Sequence, residues 1–159
     1  MPKLQLDRTD RKILEILQKE GRLSNLELAE RVALSPSPCL RRLKHLEESG
    51  VIRQYVALVD SLKVGLGLLA YVSVKLEKRG EGAVKAFARA VHNWQEVVAC
   101  YSMTGDLDYL LRVHVEDLEH YSRFVMNSLL KHPGITEVKS SFALERVKDT
   151  TALPLTHLA

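Results

Sequence analysis

The sequence is poor in the residues that build covalent or metal-clamped scaffolds. Its two cysteines, Cys39 and Cys100, lie far apart and form no C-x-x-C pair. That argues against a disulfide framework or a zinc knuckle and suits reduced, buried thiols. The six histidines (His45, His92, His114, His120, His132, His157) include no H-x-H or H-E-x-x-H, and none stands beside a carboxylate at metal-ligand spacing, so no metal site is expected. Nucleophile elbows, phosphate-cradling glycine loops and cofactor fingerprints are missing too, which leaves catalysis without machinery and points away from an enzyme. The longest uncharged apolar stretch, Val64 to Val74, contains Gly65 and Gly67 and is closed by Lys63 and Lys75. It falls far short of the ~20 apolar residues a spanning helix needs, so no membrane partner is expected. Residues 1–10 alternate charge with apolar groups and offer no signal-peptide segment, and a cytoplasmic location follows.

What is present is ordinary globular material, with 46% hydrophobic and 27% charged residues, far from the composition of disorder. At 159 residues the chain can fold as one domain or as two small ones. The formal charge of +3 is modest, but its distribution is uneven. Up to Lys63 there are 12 Lys+Arg against 9 Asp+Glu, and beyond it 11 against 11, so a polyanion partner would dock on the N-terminal third.

That third carries helical signals in close succession. Asp7 can cap a first helix whose buried stripe is Asp10, Ile13, Leu14 and Leu17, with Gly21 as a left-handed stop. Ser24-Asn25-Leu26-Glu27 is a capping box opening a short helix with Leu28, Ala29 and Val32 inward. After Ala33-Leu34, Ser35 can cap a third helix, since Pro36 and Pro38 fall in a first turn whose amides lack partners anyway. Cys39, Leu43 and Leu46 form its inward stripe and Gly50 closes it. From Val51 to Val59 the β-branched and aromatic content predicts a strand or small hairpin, a wing beside the bundle.

The remainder changes period. Strands are predicted at Leu68 to Leu76, Val97 to Met103, Leu107 to Val115 and Ile135 to Glu145, with helices on the stripes Ala83-Val84-Phe87-Ala88-Val91 and Leu118-Tyr121-Val125-Leu129. Thr104-Gly105-Asp106 is a hairpin turn, and Lys131-His132-Pro133-Gly134 stops the second helix. The fold class is α+β: a winged helix-turn-helix over 1–60, a linker at 61–67, and a ferredoxin-like β-α-β-β-α-β domain over 68–159. Strands with apolar groups on both faces, in so small a domain, predict burial of the second face by another copy and hence a homodimer.

Two constellations bear on function. The helices Ser24 to Arg31 and Ser35 to Ser49 are joined by a turn too short for anything but a large crossing angle, which is helix-turn-helix geometry. In it the second helix enters the major groove of double-stranded DNA. Ser35, Ser37, Arg41, Arg42, Lys44 and His45 would then meet phosphates and base edges, with Arg53 following on the wing. Arg41 and Arg42 suit base readout, because a guanidinium can donate to guanine O6 and N7 together. The same residues could instead be a solvated helix face. In Thr104-Gly105-Asp106-Leu107-Asp108, turn amides could bind a carboxylate while Asp106 or Asp108 pairs with an ammonium, the two charges of a free amino acid. The plain alternative is a polar turn whose aspartates bond their own backbone.

As a set, several phrases resemble the leucine-responsive regulatory protein and AsnC family, the feast/famine regulators. They are Leu6-Asp7-x-x-Asp10-x-x-Ile13-Leu14, Gly21-Arg22, Leu28-Ala29-x-x-Val32-x-Leu34-Ser35, Arg42-Leu43-x-x-Leu46-Glu47-x-x-Gly50-Val51-Ile52, Gly105-Asp106-x-Asp108-Tyr109 and Pro133-Gly134-Ile135. The resemblance covers nearly the whole chain in order. It implies transcriptional control by a small amino acid, and dimers that assemble further into octamers. It also implies an effector pocket between dimers, lined by Thr104, Gly105, Asp106 and Asp108, with Leu118 and Ser141, Phe142 and Ala143 nearby. The apolar character of Leu118, Phe142 and Ala143 suggests leucine or methionine as effector. Two other readings stay open. One is an amino-acid sensor whose N-terminal helices contact a protein partner. The other is a small enzyme of amino-acid metabolism using Asp106 and Asp108.

Overall fold

The computed structural model describes residues 5–77 and 80–158, and along them three helices precede a β-α-β-β-α-β series. Residues 1–4, 78–79 and 159, which belong to the domains expected from sequence, lie outside the described residues. The chain divides into two units, one taking in the segment up to Leu58 and again from Lys148, the other Val59–Val147.

In the first unit, helix α1 (Arg8–Leu17) opens on a reciprocal cap: the Asp7 carboxylate accepts from the Thr9 and Asp10 amides, and the Asp7 amide donates to Asp10 Oδ2 at 3.1 Å. Helix α2 (Asn25–Val32) repeats the device with Ser24 and Glu27. Helix α3 (Pro36–Glu48) does not. Ser35 stands at its N-cap without a side-chain bond, because Pro38, at the third helical position, has no N–H for the hydroxyl to accept. Between α2 and α3 the chain turns through Ala33 at φ 57°, a left-handed conformation that L-residues other than glycine rarely adopt. The core is formed by Ile13, Leu14, Leu28, Ala29, Val32, Cys39 and Leu46, so all three predicted stripes face one another. Burial of each large side chain is worth roughly 1.5–3 kcal/mol.

Three expectations for this unit are corrected. Gly21 is not a left-handed stop: positive φ among glycines occurs at Gly50, Gly65, Gly105 and Gly134, and α1 ends instead with the Lys19 and Glu20 amides both donating to Ile16 O. No strand or hairpin forms from Val51 to Val59. After the Ile52 amide bonds Leu46 O, the segment runs without a ladder partner, and Val56, Leu58 and Val59 stay exposed, since β-propensity makes no strand without an edge to pair with. Residues 148–158, expected in the second domain, rejoin the first unit, where Leu155 packs against the three-helix core.

The second unit is a four-stranded antiparallel sheet in the order β2-β3-β1-β4, built from β1 (Leu68–Leu76), β2 (Val97–Ser102), β3 (Tyr109–Val115) and β4 (Ile135–Phe142). Helix α4 (Glu81–Asn93) links β1 to β2, and α5 (Leu118–Phe124), with its last turn Val125–Leu129 loosened to a π-helix, links β3 to β4. This is the ferredoxin-like arrangement. Alternation decides the core: Ala70, Val72, Val74 and Leu76 of β1 and Leu111, Val113 and Val115 of β3 are buried with Phe87 of α4 and with Tyr121, Phe124 and Leu129. Their neighbours Leu69, Tyr71, Ser73, Lys75, Leu110, Arg112 and His114 point the other way and are less buried. The last strand stops at Phe142, short of the expected Glu145; the Ala143 amide makes one more bond, to Leu69 O, and Leu144 is fully exposed. Among the described residues no helix is long and apolar enough to cross a membrane.

Candidate DNA-binding face and effector residues

Helix α3 shows two unlike sides. Cys39 and Leu46 anchor one in the core, while Ser37, Leu40, Arg41, Lys44, His45 and Glu48 line an open concavity along the other. Their spacing, at i, i+3, i+4, i+7, i+8 and i+11, is one helical stripe. Ser35, Ser37, Arg41, Lys44, His45 and Arg53 are all exposed, and among the described residues Arg41, Lys44 and Arg53 make no ion pair. Arg53 sits in the unladdered stretch after Ile52 rather than on a formed wing. At the start of the helix, proline at the first and third positions leaves Ser37 as the free backbone donor, since the Cys39 amide already bonds Ser35 O. Asn25 Nδ2 donates to Pro36 O at 2.9 Å and pins that start against α2.

Arg42 departs from the expectation. It does not project with Arg41: its Nη1 donates to Asp10 Oδ1 at 2.8 Å and lies 2.7 Å from Asp7 Oδ2. The residue predicted as a base reader instead ties α3 to the capped first turn of α1. The Asp7 carboxyl is held below its usual value by the Asp10 amide first and by the Arg42 guanidinium after it. The signal was in the sequence. Arg42 lies three residues after Cys39 and four before Leu46, on the core-facing side, and Asp10 occupies a buried position that needs a cationic partner. Arg41, one residue and about 100° away, is exposed with Lys44 and His45 on the outer stripe.

The predicted effector residues fall into two groups. Thr104, Gly105 and Asp106 are exposed at the β2–β3 turn, with Gly105 at φ 101°. Asp108 is engaged in holding strands together: its amide donates to Val74 O at 3.0 Å, its carbonyl accepts from the Met103 amide, and its Oδ2 accepts from the Leu76 amide at 2.8 Å. Leu118, 62% exposed, and Phe142 line an open apolar trough of about 650 Å³ with Tyr121, Val125, Met126 and Ser140. The Tyr121 hydroxyl donates to Ser140 Oγ, and its ring meets Phe142 edge-on at 5.0 Å.

The register sets these groups apart. Tyr109, just after the turn, pairs with Val74, whereas Val115, just before Leu118, pairs with Leu68 at the other end of β1. At about 3.3 Å per residue, the seven-residue β3 puts roughly 20 Å between them. Ser141, Phe142 and Ala143 do not form one lining either, because Ser141 pairs with Tyr71 on the outer face while Phe142 turns to Tyr121 on the helix side. One chain therefore does not bring the predicted effector residues together.

Residues 6–53 match the family described as winged helix-turn-helix DNA-binding, and residues 69–153 match the Lrp/AsnC ligand binding domain. The chain belongs to the Lrp/AsnC family. Lrp/AsnC proteins are DNA-binding transcriptional regulators, and this one has relatives along nearly its full length. It is 42% identical over 150 residues to the DNA-binding transcriptional activator DecR of Escherichia coli K12, covering 94% of this chain and 99% of that protein. It is 39% identical over 152 residues to the leucine-responsive regulatory protein of Salmonella typhimurium LT2, covering 96% and 93%. Among solved structures, a transcriptional regulator from Neisseria meningitidis in complex with L-Met superposes with a TM-score of 0.94 at 51% identity, covering 97% of this chain and 99% of that one. An AsnC family regulator from Agrobacterium tumefaciens superposes with a TM-score of 0.92 at 44% identity, covering 97% and 100%.

Proposed function

We propose that this Lrp/AsnC regulator reads duplex DNA with the outer stripe of α3, and that a methionine- or leucine-like amino acid controls it at a pocket completed by a second copy. Arg41 is the base reader. Ser35, Ser37, Lys44, His45 and Arg53 hold phosphates, because hydroxyls, ammonium and guanidinium groups and a helix start all favour anions. The exposed, unpaired Arg41 carries this half of the reading. Replacing it with alanine should lower affinity for a selected operator by about 1–3 kcal/mol and relax the base preference at one position. Lys44→Ala should act alike on all sequences and flatten the slope of log affinity against log salt by about 0.9. A slope indifferent to Lys44, measured by gel-shift titration, would remove it from the phosphate contacts.

For the effector, the supporting observation is the separation of the polar turn from the apolar trough within one chain. An amino acid needs donors for its carboxylate, an anion for its ammonium and an apolar niche for its side chain, and here those features lie at opposite sheet ends. A second subunit can supply the missing half. The outer sheet face, with Tyr71 and Tyr101 exposed, suits a homodimer, and further association of dimers into octamers would bring turns and troughs together. A cytoplasmic location belongs to the same proposal. Calorimetric titration with L-methionine and L-leucine should show binding by the assembled protein, weakened at least tenfold in Leu118→Asp. Sedimentation should show dimers or multiples of dimers. Binding of either amino acid by a monomeric species would overturn the shared pocket.

A further inference from the structure

Nothing in the sequence marks residues 148–158 as part of the DNA-binding unit, yet they lie along α1 in an ordered way. Gln18, the C-cap of α1, clasps Leu153 with both halves of its amide. Nε2 donates to Leu153 O at 3.2 Å, and Oε1 accepts from the Leu153 amide at 2.6 Å. Five residues on, Arg11 in the first turns of α1 donates to Leu158 O at 3.2 Å. The segment thus runs antiparallel to the helix. From Gln18 back to Arg11 is about 10 Å of helix at 1.5 Å per residue, a distance that five residues folded through the turn at Thr156 and His157 can cover. Between the two clasps the half-buried Leu155 packs against the three-helix core. At the other end of the segment, Arg146 donates to Ser61 Oγ at 2.8 Å, so the stretch leading into it is bonded to the stretch leaving Leu58.

We propose that the outer face of α1 is a peptide-docking surface whose occupant is the chain's own segment 148–158, and that this strap sets DNA-binding competence. The route is physical. The strap holds α1 near its two ends and packs Leu155 against the three-helix core. The first turn of α1 holds Arg42 through Asp7 and Asp10, and Arg42 fixes α3, which carries the DNA-facing stripe. An undocked strap leaves Gln18 and Arg11 without these partners and uncovers the side of the core that Leu155 packs against. Gln18, Arg11 and Leu155 are positioning residues, since none lies on the DNA-facing side of α3.

The test uses a duplex selected by the intact protein from a random-sequence pool. A chain ending at Val147 should bind that duplex at least tenfold more weakly. A synthetic 148–158 peptide added in trans should bind the shortened chain and restore most of the loss, whereas the same peptide with Leu155→Glu should restore none. In the full-length protein, Gln18→Ala should speed hydrogen exchange at the α1 amides and weaken DNA binding several-fold, which keeps the test open should the shortened chain fail to fold. The proposal is overturned if Gln18→Ala leaves both α1 exchange and DNA affinity within twofold of the intact protein. It is equally overturned if a folded shortened chain binds DNA as the intact one does, or fails to take up the peptide.

Discussion

Arg42→Ala is expected to destabilise the three-helix unit by about 2 kcal/mol while leaving the salt dependence of DNA binding unchanged. The magnitude comes from the burial of the pair. Ion pairs at the surface are worth ~0–1 kcal/mol, and breaking a buried one costs about 3–5 kcal/mol. Here the side chain of Asp10 is 11% exposed, Arg42 32% and Asp7 53%, so the triad lies between those limits. The loss falls mainly on Asp10, left facing the core without its cation. For a unit of this size that is a drop of roughly 10 °C in melting temperature. DNA affinity should fall too, uniformly across sequences, because α3 loses its tie to α1. The salt slope separates the two roles: an arginine on a phosphate would flatten it by about 0.9, and one clamped to aspartates would not. A pH signature accompanies this. The folded-state pKa of Asp7 is depressed below its ordinary value of 3.8, so its contribution is present above that pH and lost as the pH falls through the lower folded value. The stability gap between intact protein and variant should therefore narrow in acid below pH 3.8. A variant with unchanged melting temperature and a flatter salt slope would return Arg42 to the DNA contacts.

Phe87→Ala should cost the sheet unit about 3–5 kcal/mol, the range for removing a fully buried aromatic ring. Phe87 has no exposed surface, and its ring centre lies 4.5 Å from Tyr109, 6.0 Å from Trp94 and 5.8 Å from His132. Removing it leaves a void among rings that are themselves held by strands and helices and cannot collapse inward together. Trp94, the only tryptophan, sits in this cluster and so reports the event by fluorescence. A urea midpoint followed at Trp94 should fall sharply in the variant. Loss of less than 1 kcal/mol would mean that the aromatic cluster repacks around the missing ring.

The elements that the sequence makes legible are those whose information is local. Caps at Asp7 and Ser24, three-and-four spacing in α1 to α5, and alternation in β1 and β3 each report which face of a segment avoids water, and the element bounds follow closely. The errors fall where the deciding partner is distant. Val51 to Val59 has strand composition, but a strand is a property of a pair, and its own unit offers no edge. Arg42 looks like Arg41 to any count of charges, and only the buried Asp10, 32 residues earlier, tells them apart. The strap has no periodicity at all; its contacts join residues 135 apart. For the effector residues, the motif names groups that are near in its own reading, whereas the register places Tyr109 and Val115, next to the two groups, at opposite ends of β1.

Because the chain leaves the three-helix unit at Leu58 and re-enters it at Lys148, the sheet domain is topologically a guest inserted into a helical host. A host of that kind cannot be transplanted by cutting once. A chimera that grafts this DNA-binding module onto another sensor must carry both pieces, and the graft's own ends must lie close enough to meet the two junctions.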